Sequence, residues 1–310
     1  MLRLTEVKLP LDHADEALRY AVLERLRIAP GELLSCTVFK RSYDARKRSN
    51  IFLIYSLDVE LVDEAAVLAR LKGVPNVHPT PDMDYRFVAR APAGLAQRPV
   101  IIGMGPCGIL AALVLAQMGF RPIVLERGKA VRERTKDTWG LWRKHVLDPE
   151  SNVQFGEGGA GTFSDGKLYS QIKDPKHYGR KVLKEFVKAG APEEILYVSK
   201  PHIGTFRLVG MVEKMRAEIE ALGGEIRFRS RVEDLIVEDR NVRGVILAGG
   251  EVIAADHVVL AVGHSARDTF EMLHERGVHM EAKPFSVGFR IEHPQALIDR
   301  CRFGDYAGHA

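Results

Sequence analysis

Three glycines in the segment 99–113 have a spacing that suits the binding of a phosphate group. After the apolar run Val100-Ile101-Ile102, the sequence reads Gly103-Met104-Gly105-Pro106-Cys107-Gly108. In this G-x-G-x-x-G spacing, Gly103 permits a tight turn and Gly105 lets the backbone approach a pyrophosphate, while Gly108 lets the following helix pack closely on the strand. The helix that starts at Pro106 directs its first N–H groups at the phosphate charge. The motif therefore predicts a dinucleotide-binding turn.

An acidic residue follows the second predicted strand of this unit. The helix after Gly108 ends at Gly119, and the strand 122–125 leads directly into Glu126. A carboxylate at this position accepts hydrogen bonds from the adenosine ribose. Its charge repels a 2′-phosphate, so NAD or FAD is favoured over NADP, although the neighbouring Arg127 weakens that inference. We include both Glu126 and Arg127 among the predicted cofactor contacts.

A second glycine cluster occupies residues 156–166, which hold five glycines with hydroxyl side chains between them. Backbone without Cβ atoms suits a close approach to a flat ring or a pyrophosphate. We predict that Gly158, Gly159 and Gly161 contact the cofactor. The alternative is a plain flexible surface loop.

The order of elements after residue 204 distinguishes FAD from NAD. The spacing of apolar residues predicts an amphipathic helix over 207–222, followed by a strand at 225–229, a three-stranded meander at 232–254 and an apolar strand ending in Ala261-Val262-Gly263. This succession resembles the superfamily of two-dinucleotide-fold flavoproteins. A simple NAD dehydrogenase has further βα units in place of a meander. The resemblance implies FAD, with Val232, Ala261 and Gly263 as further contacts.

Three longer segments resemble a narrower group, the bacterial family of uncharacterised FAD-dependent dehydrogenases. They are the loop 158–168, the segment 283–294 (Lys-Pro-Phe-Ser-Val-Gly-Phe-Arg-Ile-Glu-His-Pro) and the basic segment that ends at Lys47. The resemblance covers nearly the whole chain. It implies bound FAD, oxidoreductase chemistry and a cytoplasmic location, and it leaves the substrate open.

A flavin itself accepts and donates hydride, so no nucleophile triad or metal cluster is required. Lys167, Ser164 and His264 flank the predicted flavin loops and are weak catalytic candidates, because each is also a common type of structural polar residue near a turn. Cys107 is expected to pack behind the phosphate-binding turn. Two tryptophans three residues apart, Trp139 and Trp142, are expected in the core. With no second G-x-G-x-x-G motif, NAD(P)H is expected at most as a transient electron donor.

The first 90 residues predict a separate α+β unit. The order β-α-β-β-α, with a possible last strand, suggests a ferredoxin-like arrangement. A basic segment at 40–48 is interpreted as a solvated hairpin, and contact with RNA is the alternative. The residues 91–98 are typical of a linker.

Composition narrows the class of protein further. The 310 residues are 46% hydrophobic and 28% charged, with a net charge of +4 and three cysteines. These values indicate a globular chain and favour neither a disulfide framework nor a nucleic-acid partner. The longest strongly apolar stretch, 109–116, is far too short to span a membrane.

These observations give one prediction for the fold and one for the function. The fold is α/β, a Rossmann-like FAD-binding domain with an inserted β-meander, preceded by a small ferredoxin-like domain. We expect domains at 1–96, 97–268 (with a helical insert at about 131–203) and 269–310, the last being the start of an incomplete substrate domain in a C-terminally truncated chain. The function is an FAD-dependent oxidoreductase acting on a small-molecule substrate. An RNA-associated flavoprotein and a simple NAD-dependent dehydrogenase are the alternatives.

Overall fold

A computed structural model describes residues 1–170, 172–289 and 291–308. The chain divides into two compact units. Unit 1 comprises Met1–Met83, Glu193–Pro201 and Pro284–Ala310, and unit 2 comprises Asp84–Pro192 and His202–Lys283. The predicted domain boundaries at residues 96 and 268 stay predictions.

Unit 1 is built around an antiparallel sheet with two helices. Its elements are β1 (Leu2–Pro10), α1 (Glu16–Leu26), β2 (Leu33–Asp44), β3 (Phe52–Leu61), α2 (Glu64–Arg70) and β4 (Val77–Pro79). The strand order is β2-β3-β1-β4, with antiparallel neighbours throughout. This is the order of a split β-α-β fold, so the predicted ferredoxin-like arrangement is confirmed. The alternating burial of β3 places Leu53, Tyr55, Leu57 and Val59 in the core.

Unit 2 contains the glycine motif. Its elements are β5 (Val100–Ile102), α3 (Pro106–Gln117), β6 (Ile123–Leu125), α4 (Val131–Lys144), α5 (Tyr178–Lys188), α6 (Thr205–Ala221), β7 (Glu225–Arg227), β8 (Val232–Glu238), β9 (Asn241–Leu247), β10 (Val252–Ala254), β11 (Val258–Leu260) and α7 (Arg267–Glu275). Four strands form a parallel sheet in the order β11-β5-β6-β7, and β10-β9-β8 form the antiparallel meander. The predicted α/β class with an inserted meander is confirmed.

The two central strands of the parallel sheet, β5 and β6, are buried on both faces, which explains their apolar residues. All three residues of β5 and all three of β6 are buried. Helix α6 buries Leu208, Met211, Val212, Met215 and Ile219, which recur at intervals of one to four residues and form a single apolar stripe. Strand β11 is shorter than predicted, so Ala261 and Gly263 lie in the loop that follows it.

The remaining segments of unit 1 come from later in the chain. They contain a short 3-10 turn (Glu193–Leu196), α8 (Gln295–Phe303) and a second 3-10 turn (Gly304–Tyr306). Residues 197–199 pair with the middle of β2, because the Arg41 N–H donates to Tyr197 O at 2.7 Å and the Ser199 N–H donates to Arg41 O at 2.8 Å. The segment thus extends the β2 edge of the sheet.

Candidate functional site

A cavity of about 560 Å³ lies at the carboxyl edge of the parallel sheet. The last residues of three strands line it, namely Ile102 of β5, Leu125 of β6 and Leu260 of β11. Strand β5 lies between β6, which follows it in the chain, and β11, which comes last. Ligands of open α/β sheets bind at such a point, where the strand order changes direction.

Two glycines of the motif are required by the packing of the protein itself. Gly103 has a φ of +98°, and a Cβ there would lie 2.5 Å from Ala261 O. A Cβ on Gly108 would lie 1.9 Å from Gly103 O. Gly103 therefore allows the turn, and Gly108 allows α3 to approach the strand, as the motif predicts.

Two other glycines of the cavity wall have no such packing requirement. A Cβ on Gly105 would meet nothing nearer than Gly159 Cα at 3.7 Å, and one on Gly161 would meet nothing within 4 Å. Both residues line the cavity. The space that these Cβ atoms would fill is therefore left open beside the first turn of α3, whose N–H groups are free of intrahelical partners. This cradle fits a phosphate group that approaches the backbone closely.

The Glu126 carboxylate lies at the end of β6 and is 4% exposed. Its Oε1 accepts hydrogen bonds from the N–H groups of Gly128 (2.8 Å) and Gly156 (3.0 Å), and its Oε2 accepts one from Met104 (2.7 Å). Each carboxylate oxygen offers two lone pairs, so one remains on Oε2. Glu126 lines the cavity and has the capacity to accept one ribose hydroxyl.

Four alternating charges stand beside Glu126, and we call them the charge ring: Arg127, Glu150, Arg231 and Asp268. Arg127 contacts Glu150 at 2.8 Å and Asp268 at 2.9 Å, while Arg231 lies 3.7 Å from Glu150 and 3.6 Å from Asp268. Burial alone lowers the pKa of Arg127, but the hydrogen bonds that Arg127 donates to Glu150 and Asp268 outweigh this effect and raise the pKa. Burial raises the pKa of Asp268, and its contact with Arg127 more than reverses this, so the pKa is lowered. Arg127 and Asp268 are therefore charged at neutral pH.

A buried arginine holds the second glycine cluster in place. The Arg134 side chain is 0% exposed, and it donates to the main-chain oxygens of Asn152 (2.8 Å), Val153 (2.8 Å) and Glu157 (2.7 Å). Burial lowers its pKa to about 10, so it stays protonated at neutral pH. Sequence reasoning missed this residue, because an arginine within a charged helix is typically exposed.

Glu157 belongs to the same loop, and its side chain is completely buried. Its Oε2 accepts a hydrogen bond from the Val131 N–H at 2.7 Å, at the start of α4, and lies 3.4 Å from Arg216 Nη1. Within the part of the chain that the structure describes, Oε1 has no hydrogen-bond partner. Burial raises the pKa of this carboxyl group.

Ten of the twelve predicted cofactor contacts line the cavity: Gly103, Gly105, Pro106, Glu126, Arg127, Gly159, Gly161, Val232, Ala261 and Gly263. The two others lie behind the wall. Gly108 is packed against Gly103, and a Cβ on Gly158 would lie 2.1 Å from Thr162 Oγ1. These two glycines shape the wall and do not face the cavity.

The three catalytic candidates are placed differently. His264 lines the cavity, and its Nδ1 lies 2.8 Å from Ser265 Oγ, which in turn hydrogen-bonds to Gln154 Oε1 at 3.2 Å. Ser164 closes its own turn by donating to Gly161 O at 2.7 Å. Lys167 is exposed, with Nζ 3.9 Å from Asp165 Oδ2. Neither Ser164 nor Lys167 lines the cavity.

Two expectations from the sequence are wrong. Cys107 does not pack behind the turn, because it is exposed and lines the cavity. Trp139 and Trp142 are 45% and 49% exposed and pack edge-to-face on each other. Helix α4 buries a stripe formed by Val131, Arg134 and Thr138, and both indoles lie off that stripe.

Two family models match parts of the chain. Residues 1–60 match a family described as a domain of unknown function. Residues 198–307 match the family described as FAD dependent oxidoreductase.

One relative aligns over nearly the whole of this chain. An uncharacterised protein of Clostridium beijerinckii is 41% identical over 308 residues, which is 99% of this chain and 57% of the relative. The chain therefore spans little more than half the length of this relative.

Solved structures resemble part of the chain. THI4 of Thermovibrio ammonificans is similar over 59% of this chain and 64% of its own, with 20% identity and a TM-score of 0.40. Glycine oxidase from Bacillus cereus is similar over 59% of this chain and 58% of its own, with 16% identity and a TM-score of 0.32. Among the residues described, no helix is long and apolar enough to span a bilayer.

Proposed function

We propose that this chain binds FAD in the cavity at the carboxyl edge of its parallel sheet and serves as an FAD-dependent dehydrogenase. In this role it passes hydride between a small-molecule substrate and the flavin, in the cytoplasm. The proposed FAD-binding domain is 97–268, with 1–96 as a separate N-terminal domain and 269–310 as the start of a substrate domain. The observation that carries the proposal is the open cradle at Gly105 and Gly161, beside the first turn of α3.

The cradle fits the pyrophosphate of a dinucleotide. Packing within the protein accounts for glycine at positions 103 and 108, and it does not account for glycine at 105 or 161. A ligand that approaches the backbone closely at Gly105 would explain why this position is a glycine. The helix dipole and the free N–H groups of α3 favour the negative charge of such a ligand.

The neighbouring residues support the adenosine half of the ligand. Glu126 has one free lone pair to accept a ribose hydroxyl, and Val232, at the first residue of β8, lines the same end of the cavity. Gly161 of the cradle and the nearby Gly159 line the cavity wall, and we propose that the rest of the cofactor extends along this wall. We therefore propose that the adenosine lies at Glu126 and the riboflavin half toward residues 159–161.

When bound, FAD supplies the hydride chemistry, so the chain has to bind, orient and shield it. Arg134 keeps the 152–157 backbone in place behind the wall. His264 is the titratable candidate that lines the cavity, and its Nδ1 is held by Ser265, which leaves Nε2 for a proton. Lys167 and Ser164 are weaker catalytic candidates than His264, because they do not line the cavity. We propose NAD(P)H only as a transient electron donor to the flavin.

The experiment is to purify the chain and record its visible spectrum before and after addition of FAD. We expect flavin absorption that survives gel filtration, and FAD in the extract by mass spectrometry. A colourless protein that also fails to retain added FAD overturns the proposal. Tight NADH binding without any flavin would instead support the simple NAD dehydrogenase.

A further inference from the structure

We infer that Glu150 and Asp268 determine the specificity of the cofactor site, because they occupy the two arginines that would otherwise accept a 2′-phosphate on the adenosine ribose. The inference rests on the proposed function, since it takes the Glu126 end of the cavity as the adenosine end. It concerns the ligand class, which is a dinucleotide without a 2′-phosphate.

Both arginines stand where such a phosphate would be received. Arg127 directly follows Glu126, and Arg231 directly precedes Val232. All four residues line the same cavity. An arginine close to the ribose is the usual acceptor of a 2′-phosphate in dinucleotide-binding folds. By position, these two arginines are therefore candidate acceptors of a 2′-phosphate.

The ion pairs of the charge ring prevent Arg127 and Arg231 from accepting a 2′-phosphate. The Arg127 guanidinium uses Nε and Nη2 on Glu150, and it uses Nη1 and Nη2 on Asp268. Its side chain is only 15% exposed and stacks on the Phe155 ring, with 4.3 Å between Cζ and the ring centroid. Arg127 is thus bound on two edges and covered on one face, so a phosphate has to displace a carboxylate to reach it.

Arg231 is similarly engaged. It lies between Glu150 and Asp268 and also donates to Glu233. With Glu126 included, carboxylates outnumber guanidinium groups around the ribose position. A dianionic 2′-phosphate would add to this excess of negative charge, whereas a ribose hydroxyl would not.

The test compares two nucleotides that differ only by the 2′-phosphate, AMP and adenosine 2′,5′-bisphosphate. Each is titrated into the chain by calorimetry, for the wild type and for the double variant Glu150→Gln/Asp268→Asn. We expect the wild type to favour AMP. In the double variant the ratio of the two Kd values shifts toward the bisphosphate by about tenfold or more, because a freed guanidinium forms charge-assisted hydrogen bonds. The shift is smaller at high salt.

A matched control makes the same chemical change elsewhere. Glu213→Gln breaks an ion pair with Arg132 (2.6 Å) between α4 and α6, away from the cavity wall, and it leaves the ratio unchanged. If the double variant fails to fold, the single variants Glu150→Gln and Asp268→Asn each give a smaller shift in the same direction.

The outcomes separate the two proposals. An unchanged ratio in a folded variant that still binds AMP overturns the inference, and FAD binding by the same protein leaves the proposed function standing. Absence of AMP binding to the wild type overturns the inference as well, since this end of the cavity is then not an adenosine site. Failure to bind FAD overturns the proposed function whatever the nucleotide ratio is.

Discussion

Gly156 and Arg134 pack so closely that a Cβ built on Gly156 would lie 2.3 Å from Arg134 Cδ. Gly156 also has a φ of +120° and donates its N–H to Glu126 Oε1. One backbone position therefore joins the buried arginine to the carboxylate at the end of β6. The start of the glycine-rich loop is therefore held from both sides, by Arg134 and by Glu126.

The substitution Gly156→Ala is expected to destabilise the chain by about 2–4 kcal/mol. The added methyl group meets Arg134, and alanine is strained at a positive φ. Urea denaturation measures the change. Gly249→Ala is the matched control, because Gly249 has a φ of +100° and no neighbour within 4 Å of its Cβ position. The control is expected to cost about 1 kcal/mol, and equal losses in the two variants would show that the contact with Arg134 is not tight.

Removal of the guanidinium by Arg134→Met is expected to cost about 3–5 kcal/mol. The main-chain oxygens of Asn152, Val153 and Glu157 each lose a buried donor, and an unpaired buried polar group costs about 1–3 kcal/mol. The measurement is again the free energy of unfolding. A loss below about 1 kcal/mol, within the range of an ordinary surface substitution, would contradict the assigned role.

Glu157 gives the chain a pH dependence whose sign is fixed by its burial. Its pKa is raised in the folded state, so the folded chain binds more protons than the unfolded chain above the ordinary carboxyl value of about 4.3. The stability contributed by this group is therefore present at low pH and decreases as the pH rises from that value through the folded pKa.

The variant Glu157→Gln has no titratable group at position 157, so it serves as the reference for the wild type. The difference in unfolding free energy between wild type and variant is expected to move in favour of the variant between pH 5 and pH 8. Other groups titrate in both proteins and cancel in the difference. A constant difference across this range would show that the carboxyl group keeps its ordinary pKa.

Glu126 lies at the end of β6. The substitution Glu126→Gln preserves the shape of this side chain and replaces one acceptor oxygen with an NH₂ group. The amide offers one oxygen and one NH₂ group, so at least one of the three main-chain N–H groups faces a donor. We expect a loss of about 1–3 kcal/mol in thermal or urea unfolding. The control Glu225→Gln changes a carboxylate that is 35% exposed and pairs with Arg98 and Arg227, and it should cost no more than about 1 kcal/mol. Equal effects of the two substitutions would contradict the geometry at Glu126.

The sequence was sufficient for those parts of the site that depend on local spacing. Gly103, Gly108 and Glu126 occupy the end of a strand, the start of a helix and the end of the next strand, and each of these positions is set by residues close in the chain. The meander at 232–254 was predicted for the same reason, because alternating apolar residues and turn residues mark each strand.

The sequence was insufficient where the partners are distant in the chain. Arg127 and Asp268 are far apart in sequence and meet only in the folded unit, so their contact has no local signal. The burial of Arg134 depends on a loop that folds over α4, and the stripe that this loop covers leaves Trp139 and Trp142 exposed. The charged and aromatic residues of α4 do not indicate which face of this helix the loop covers.

We expect the phosphate of the cofactor to occupy the open cradle at Gly105. The most direct measurement compares wild type and Gly105→Ala for both unfolding free energy and FAD affinity. Gly105 has an ordinary φ of −78°, and its Cβ would meet nothing nearer than 3.7 Å, so stability is expected to change by less than about 1 kcal/mol. FAD affinity is expected to decrease at least about tenfold, because the methyl group fills the phosphate position. A folded Gly105→Ala variant that binds FAD as tightly as the wild type would contradict the account.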